Sequence, residues 1–235
     1  MKYHECIDVD YEKYVRNKVL FTKSYVGLGV VGTYIALDLI PEVYDYVGNS
    51  FASGYTIMPE VSIEIGKQYF DYDFSVGFGL SYLSANLQEF EIISPIWTEN
   101  HYRKDKYVFR LSQLKVPLSL NVKFKKLPYQ PVVSAGICGN AILANEYQYW
   151  FFSVYHNDIL QNSSSNYITI FGKNYALSYF ASIGFEKHLY SNISFFSNIR
   201  YEYMRNSVDV PPSSFLYNDY FHNNIGLFVG LKGSY

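Results

Sequence analysis

The chain has 235 residues, 49% hydrophobic and 20% aromatic against 17% charged. That balance excludes disorder and can bury a core or face lipid within one domain. The net charge of −2, from 19 basic and 21 acidic residues, offers no polyelectrolyte surface for neutralising phosphates, so no nucleic acid is expected as a partner.

The chain opens with residues 1–22, which mix Asp8, Asp10, Glu12, Lys13, Arg16 and Lys18 with Tyr11, Tyr14 and Val15 and break the alternation that follows. They read as a periplasmic lead-in, a short helix or a plug for what comes after. No apolar run or small-residue cleavage site of a signal peptide is visible there; if the protein is exported, its signal has been removed. Cys6, like Cys138 further on, has no partner at metal-ligand or redox spacing, and Cys138 lies in an apolar run as a small packing residue. No cofactor or metal is expected.

From residue 23 to 235 the chain alternates at period two, the mark of half-buried strands. In Gly54–Gly66, Tyr55, Ile57, Val61, Ile63 and Ile65 take one face and Thr56, Glu60, Ser62 and Glu64 the other. Equivalent patterns predict strands near Tyr25–Asp38, Tyr55–Lys67, Asp71–Gln88, Tyr107–Phe124, Pro131–Tyr149, Tyr167–His188, Ile193–Asn206 and Phe221–Tyr235. The connections alternate between short (68–70, 125–130, 189–192) and long (39–53, 89–106, 150–166, 207–220), and 89–106 is long enough for a hairpin of its own. The longest apolar stretch, Tyr25–Leu37, is too short and too glycine-rich for a spanning helix. The expectation is an all-β fold: one up-and-down antiparallel transmembrane barrel of about eight strands, with short periplasmic turns and long extracellular loops.

Parity divides each strand into a lipid face and a lumen face. Leu114, Val116, Leu118, Leu120, Val122 and Phe124 oppose Gln113, Lys115, Ser119, Asn121 and Lys123. Ile193, Phe195, Ile199, Tyr201 and Tyr203 oppose Ser194, Asn198, Arg200 and Glu202. A soluble barrel would reverse this polarity. The lipid-outside version is favoured by long strands, by small inward residues such as Ser75, Gly77, Gly79 and Ser81, and by aromatics at strand ends, among them Tyr25, Tyr55, Tyr69, Phe70, Tyr72, Tyr107, Phe124, Tyr129, Tyr203 and Tyr235, placed as interfacial girdles.

The strand Leu111-Ser112-Gln113-Leu114-Lys115-Val116-Pro117-Leu118-Ser119-Leu120-Asn121-Val122 resembles the Leu-x-Ile-Pro-Leu-Leu strand of Bacteroidota-type outer-membrane β-barrel proteins, the porin-family and PorT-like group. Pro131–Gly136, Ser182–Glu186 and Asn224–Lys232 are similar to further strands of that family, although Gly136-Ile137-Cys138-Gly139 departs from its commoner Gly-x-Gly. The resemblance implies a bacterial outer-membrane location. It also makes the final strand, ending at Tyr235, the feature recognised by the assembly machinery.

The predicted lumen cluster is Glu60, Glu64, Lys115, Glu186, Arg200, Glu202 and Lys232. Its mixed signs point to mutual neutralisation and a lumen filled by side chains, with pore lining as the alternative. Trp97, Trp150, Phe151, Tyr155, Phe215 and Tyr217 put aromatics in long loops, where they contact a partner or pack on each other and on the membrane interface. His101, His156, His188 and His222 join no nucleophile elbow, although Ser153 and Asp158 flank His156, so no catalysis is expected. The function that follows is a non-enzymatic structural or surface-binding barrel, with outer-membrane lipid and an unidentified extracellular or periplasmic protein as its partners. The alternatives are a narrow channel or secretion-system accessory barrel, a soluble lipocalin-like ligand binder, and an outer-membrane lipid-modifying enzyme.

Overall fold

A computed structural model describes residues 20–37, 47–48, 51–69, 71–87, 90–98, 101–155, 158–164, 168–169, 174–190, 192–207 and 219–234. In chain order its strands are β1 (Leu20–Leu37), β2 (Val47–Gly48), β3 (Phe51–Gln68), β4 (Tyr72–Asn86), β5 (Phe90–Thr98), β6 (His101–Phe124), β7 (Gln130–Tyr155), β8 (Asp158–Ser164), β9 (Ile168–Thr169), β10 (Tyr175–Tyr190), β11 (Ile193–Ser207) and β12 (Asp219–Ser234). Among the described residues there is no helix.

Eight of these strands form a closed ring in the order β1, β3, β4, β6, β7, β10, β11, β12, every neighbour antiparallel and β12 returning to β1. The fold is therefore the up-and-down barrel that the alternation predicts. Closure removes the exposed edges that an open sheet would present. Both β1 and β12 reach the short-turn end, where Lys23 pairs with Ser234. The other four strands belong to the long connections: β5 pairs with the start of β6, β2 with β5, and β8 and β9 with the end of β7.

Boundaries differ from the sequence expectation where pairing outlasts the alternation. The first strand begins at Leu20, opposite Lys67, inside the segment expected to be a lead-in. On the other side of the barrel β6 starts at His101 and β7 runs to Tyr155, because the two strands stay paired from Lys123–Val132 up to His101–Tyr155. A bulge on β7 near Leu143 shifts their register by one residue. This hairpin carries the sheet well past Arg110, the last β6 residue paired with β4.

Two prolines mark interruptions in the wall. Opposite Pro117, the β4–β6 ladder skips Gly79 and Leu80, then resumes in the same register at Ser81–Lys115. A Cβ on Gly79 would stand 3.0 Å from the Pro117 ring, so glycine makes room for the pyrrolidine. The β3–β4 ladder stops at Glu60–Ser81, immediately before Pro59, which has no N–H to donate. Beyond that point the Thr56 hydroxyl donates to the Ser84 carbonyl at 2.5 Å and ties the strands by a side chain.

Candidate functional site

The pleat alternates side chains between the two faces of the wall, so parity decides what enters the lumen. On β4 the pattern is unbroken from Tyr72 to Asn86, odd residues buried and even residues exposed. All seven residues of the predicted lumen cluster, Glu60, Glu64, Lys115, Glu186, Arg200, Glu202 and Lys232, lie on inward positions and engage one another or further inward residues.

Toward the short turns they build a connected ionic network. Lys123 stands directly opposite Asp73 on the neighbouring strand and pairs with it at 3.0 Å, while Lys125 reaches the other oxygen of Asp73 at 3.1 Å. Glu186 projects from β10, accepts from Lys23 at 3.0 Å and Lys123 at 3.3 Å, and forms an ion pair with Lys232 at 3.5 Å. Glu64 accepts from Lys232 at 2.8 Å and from the Ser75 hydroxyl. Phe21 lies 5.0 Å under the Lys23 ammonium.

Halfway along the axis, two pairs join strands that are not neighbours. Arg200 on β11 grips Glu60 on β3 in bidentate fashion, at 2.5 and 2.8 Å, with its guanidinium 4.4 Å from the Phe228 ring and 5.0 Å from that of Phe180. Lys115 on β6 donates to Glu202 on β11 at 2.7 Å. The Ser178 hydroxyl donates to the same carboxylate at 2.5 Å, and the Asn140 amide donates to Ser178 at 2.9 Å. Both pairs bridge three seams of the wall, so they cross the lumen. Charge-assisted bonds of this geometry are the strong kind, and bidentate arginine adds orientation.

Apolar side chains also enter. Tyr25, Val31, Met58, Leu83, Leu111, Phe196 and Phe228 form one buried cluster, with the Tyr25 and Phe196 rings edge to face at 4.2 Å. Tyr25 thus belongs to the lumen and corrects the expectation that placed it in an interfacial girdle. Its ring folds over Gly27, where any Cβ would collide with it. Among the described residues a cavity of about 70 Å³ is bordered by Tyr25, Glu60, Arg200, Lys232 and several serines. Pockets for small organic ligands are larger, roughly 300–1,000 Å³.

Of the predicted loop aromatics, Trp150, Phe151 and Tyr155 lie on the part of β7 that stays paired with His101–Lys106 of β6, and Trp97 lies on β5, inside the long connection 89–106. Phe215 and Tyr217 lie outside the described residues, as does His156. His188 approaches the Ser194 hydroxyl at 3.4 Å across a short turn, and His222 is buried in the lumen. Sequence reasoning left Lys23, Asp73, Phe196 and Phe228 out of the lumen cluster. Asp73, Phe196 and Phe228 share the inward parity of residues it did name, and extending the alternation of β1 below Tyr25 would have found Lys23.

Outside, the wall is apolar. On β3 the belt runs over 11 residues from Tyr55 to Ile65, and on β6 over 11 from Leu114 to Phe124, matching the ~9–11 that a tilted strand needs to cross a bilayer. Fold and faces together define a class: a closed eight-stranded barrel with an apolar exterior and ion pairs inside.

No family model matches the chain, and no curated protein is similar to it in sequence. Among solved structures the chain is similar to Neisserial surface protein A, at 14% identity over 89% of this chain and 96% of that one, with a TM-score of 0.42. It is similar also to the outer membrane protein OprG from Pseudomonas aeruginosa, at 12% identity over 93% and 97%, TM-score 0.41. A third is the outer membrane protease OmpT from Escherichia coli, at 8% identity over 92% and 97%, TM-score 0.39. At these identities the likeness is one of architecture.

Proposed function

We propose that the chain is a bacterial outer-membrane β-barrel of structural or surface-binding type, non-enzymatic, with a lumen filled by its own side chains. One observation carries the reading: among the described residues, 40 large hydrophobic side chains are exposed while 14 hydrophobic residues are buried. A water-soluble monomer rarely exposes a contiguous apolar patch beyond a few hundred Å², and this belt encircles the molecule. A lipocalin-like binder would need the opposite parity, apolar inside and polar outside. Hydrocarbon is the solvent in which this arrangement is stable.

The crossing pairs Arg200–Glu60 and Lys115–Glu202 support a filled lumen over a pore. Contact with other molecules then falls to the long-loop end and the β6–β7 hairpin. The motif resemblance to PorT-like proteins and the role of the last strand in assembly belong to the same proposal. Its test is single-channel conductance of the detergent-refolded protein in a planar bilayer. Silence from protein shown to be inserted supports the filled barrel, and steady conductance overturns it. Partition into the aqueous phase without detergent overturns the membrane reading itself.

A further inference from the structure

The charge of this barrel is divided along its axis. At the short-turn end the ionic network holds four lysines (Lys23, Lys123, Lys125 and Lys232) against three carboxylates (Glu64, Asp73 and Glu186), leaving one positive charge in excess. The rim around it adds Lys67, Lys126 and Lys187 against Asp71, which raises the surplus to three. With the chain at −2 overall, all remaining residues together carry −5. One mouth of the barrel is thus positive in an otherwise acidic molecule.

The positive side chains of the rim are not scattered. The turn Lys125-Lys126-Leu127-Pro128-Tyr129 lies beside the end of β10, because Gln130 pairs with Glu186 and Tyr129 therefore stands next to Lys187. The Lys187 ammonium sits 3.5 Å from the Tyr129 hydroxyl and 4.9 Å from its ring centroid, and Phe185 closes on that ring edge to face at 5.7 Å. Among the described residues Lys126 pairs with Asp71, at 3.2 Å, and the two side chains are 72% and 46% exposed, so the pair is worth little. Leu127, Leu189 and Tyr190 are exposed between these cations. Ammonium groups interleaved with tyrosine and leucine are the composition of a headgroup layer, where stems lie on hydrocarbon and charged tips meet phosphate.

We propose that the short-turn rim is a docking surface for the phosphates of anionic phospholipids, centred on Lys126, Lys187 and Tyr129. The inference rests on the membrane reading above. A lipid is favoured over a free anion because the cations stand at the edge of the apolar belt, flanked by exposed Leu127 and Leu189, which an acyl region would cover and a free anion would not. Each lysine near an anionic leaflet contributes about 1 kcal/mol, which is roughly fivefold in local enrichment.

The test is native mass spectrometry of the protein released from bilayers of mixed phosphatidylcholine and phosphatidylglycerol, reading the ratio of the two lipids retained. Enrichment of phosphatidylglycerol over the bulk ratio, weakening as salt is added, is the expected result. The Lys126→Gln/Lys187→Gln variant, its folding checked by heat-dependent gel mobility, brings the ratio back toward bulk. Lys104→Gln/Lys106→Gln removes the same charge at the long-loop end and leaves the enrichment intact. A bulk ratio for the wild type, or equal ratios for the two variants, overturns the proposal. Displacement of the lipid by millimolar inorganic phosphate, with phosphate binding retained in pure phosphatidylcholine, assigns the site to a free anion and overturns the lipid source. Failure to insert even into pure phosphatidylcholine strikes the proposed function instead.

Discussion

Replacing Lys115 with methionine removes one member of the most deeply enclosed ion pair among the described residues. The side chains of Lys115 and Glu202 are 2% and 5% exposed, and their atoms approach to 2.7 Å. In Lys115→Met the Glu202 carboxylate keeps the Ser178 hydroxyl, yet loses the ammonium that compensates its charge. Breaking a buried pair from one side costs about 3–5 kcal/mol. With a urea slope of about 2 kcal/mol per M, the unfolding midpoint drops by roughly 1.5–2.5 M. The double variant Lys115→Met/Glu202→Leu has no charge left to strand, and Ser178 and Asn140 still hold each other at 2.9 Å. Swapping a buried ion pair for apolar residues of similar volume is often neutral or stabilising, so the double variant should return to within about 1 kcal/mol of wild type. Equilibrium unfolding in lipid vesicles, followed by tyrosine and tryptophan fluorescence and by gel mobility, measures all four corners of the cycle. A single variant that loses less than about 1 kcal/mol, with additive behaviour in the double, would mean that water screens the pair and that the lumen is open.

Arg200→Lys keeps the charge opposite Glu60 but not the two parallel bonds, and should lose about 1–2 kcal/mol in the same unfolding assay, whereas a loss as large as that of Lys115→Met would point to packing against Phe180 and Phe228 as the main role. Leu118→Arg places a cation in the middle of the outward run of β6 and should cost about 2–4 kcal/mol in vesicles, while Leu127→Arg at the turn should cost about 0–1; equal costs would contradict the lipid-facing belt. Gly27→Ala drives a methyl against both Tyr25 and the Val229 carbonyl oxygen, 2.7 Å away, and should lower stability by about 1–3 kcal/mol, an effect that Tyr25→Ala relieves only in part because the carbonyl stays; full rescue would mean that the ring alone sets the cost.

The alternation of β3, β4, β6 and β11 made their two faces legible, because a period of two maps directly onto inside and outside. It also placed Glu60, Lys115, Arg200 and Glu202 in the lumen. Partners were not legible, since which inward residue meets which depends on stagger between strands. Glu60 and Arg200 are separated in the ring by β1 and β12, and nothing local in either segment encodes their approach. The inward aromatics were hidden for a different reason: Tyr25, Phe196 and Phe228 look like lipid-facing residues by type, and only their parity betrays them. The hairpin expected within 89–106 is there as β5 and the start of β6, but the pairing of that stretch with β7 was not legible, because His101–Tyr107 mixes charge and aromatics without alternation.

Charges inside a barrel are usually taken to imply traffic through it, but the register of this wall gives them another purpose. Slipping a strand by one residue exchanges its faces. Such a slip in β6 would turn Lys115 and Lys123 toward hydrocarbon, at a cost of about 2–4 kcal/mol for a lysine at the bilayer midplane and less toward the interface. The same slip would also break their bonds to Glu202, Glu186 and Asp73. In β3 it would expose Glu60 and Glu64 and strand Arg200 and Lys232 inside. An all-apolar lumen would tolerate such slips, since leucine is equally at home on either face of a strand in lipid. Paired charges inside therefore select one stagger among several, whether or not anything passes between them. The mixed signs follow from the same argument: neutral pairs specify register without leaving a net field along the lumen, and the surplus charge is left at the rim, where headgroups can meet it.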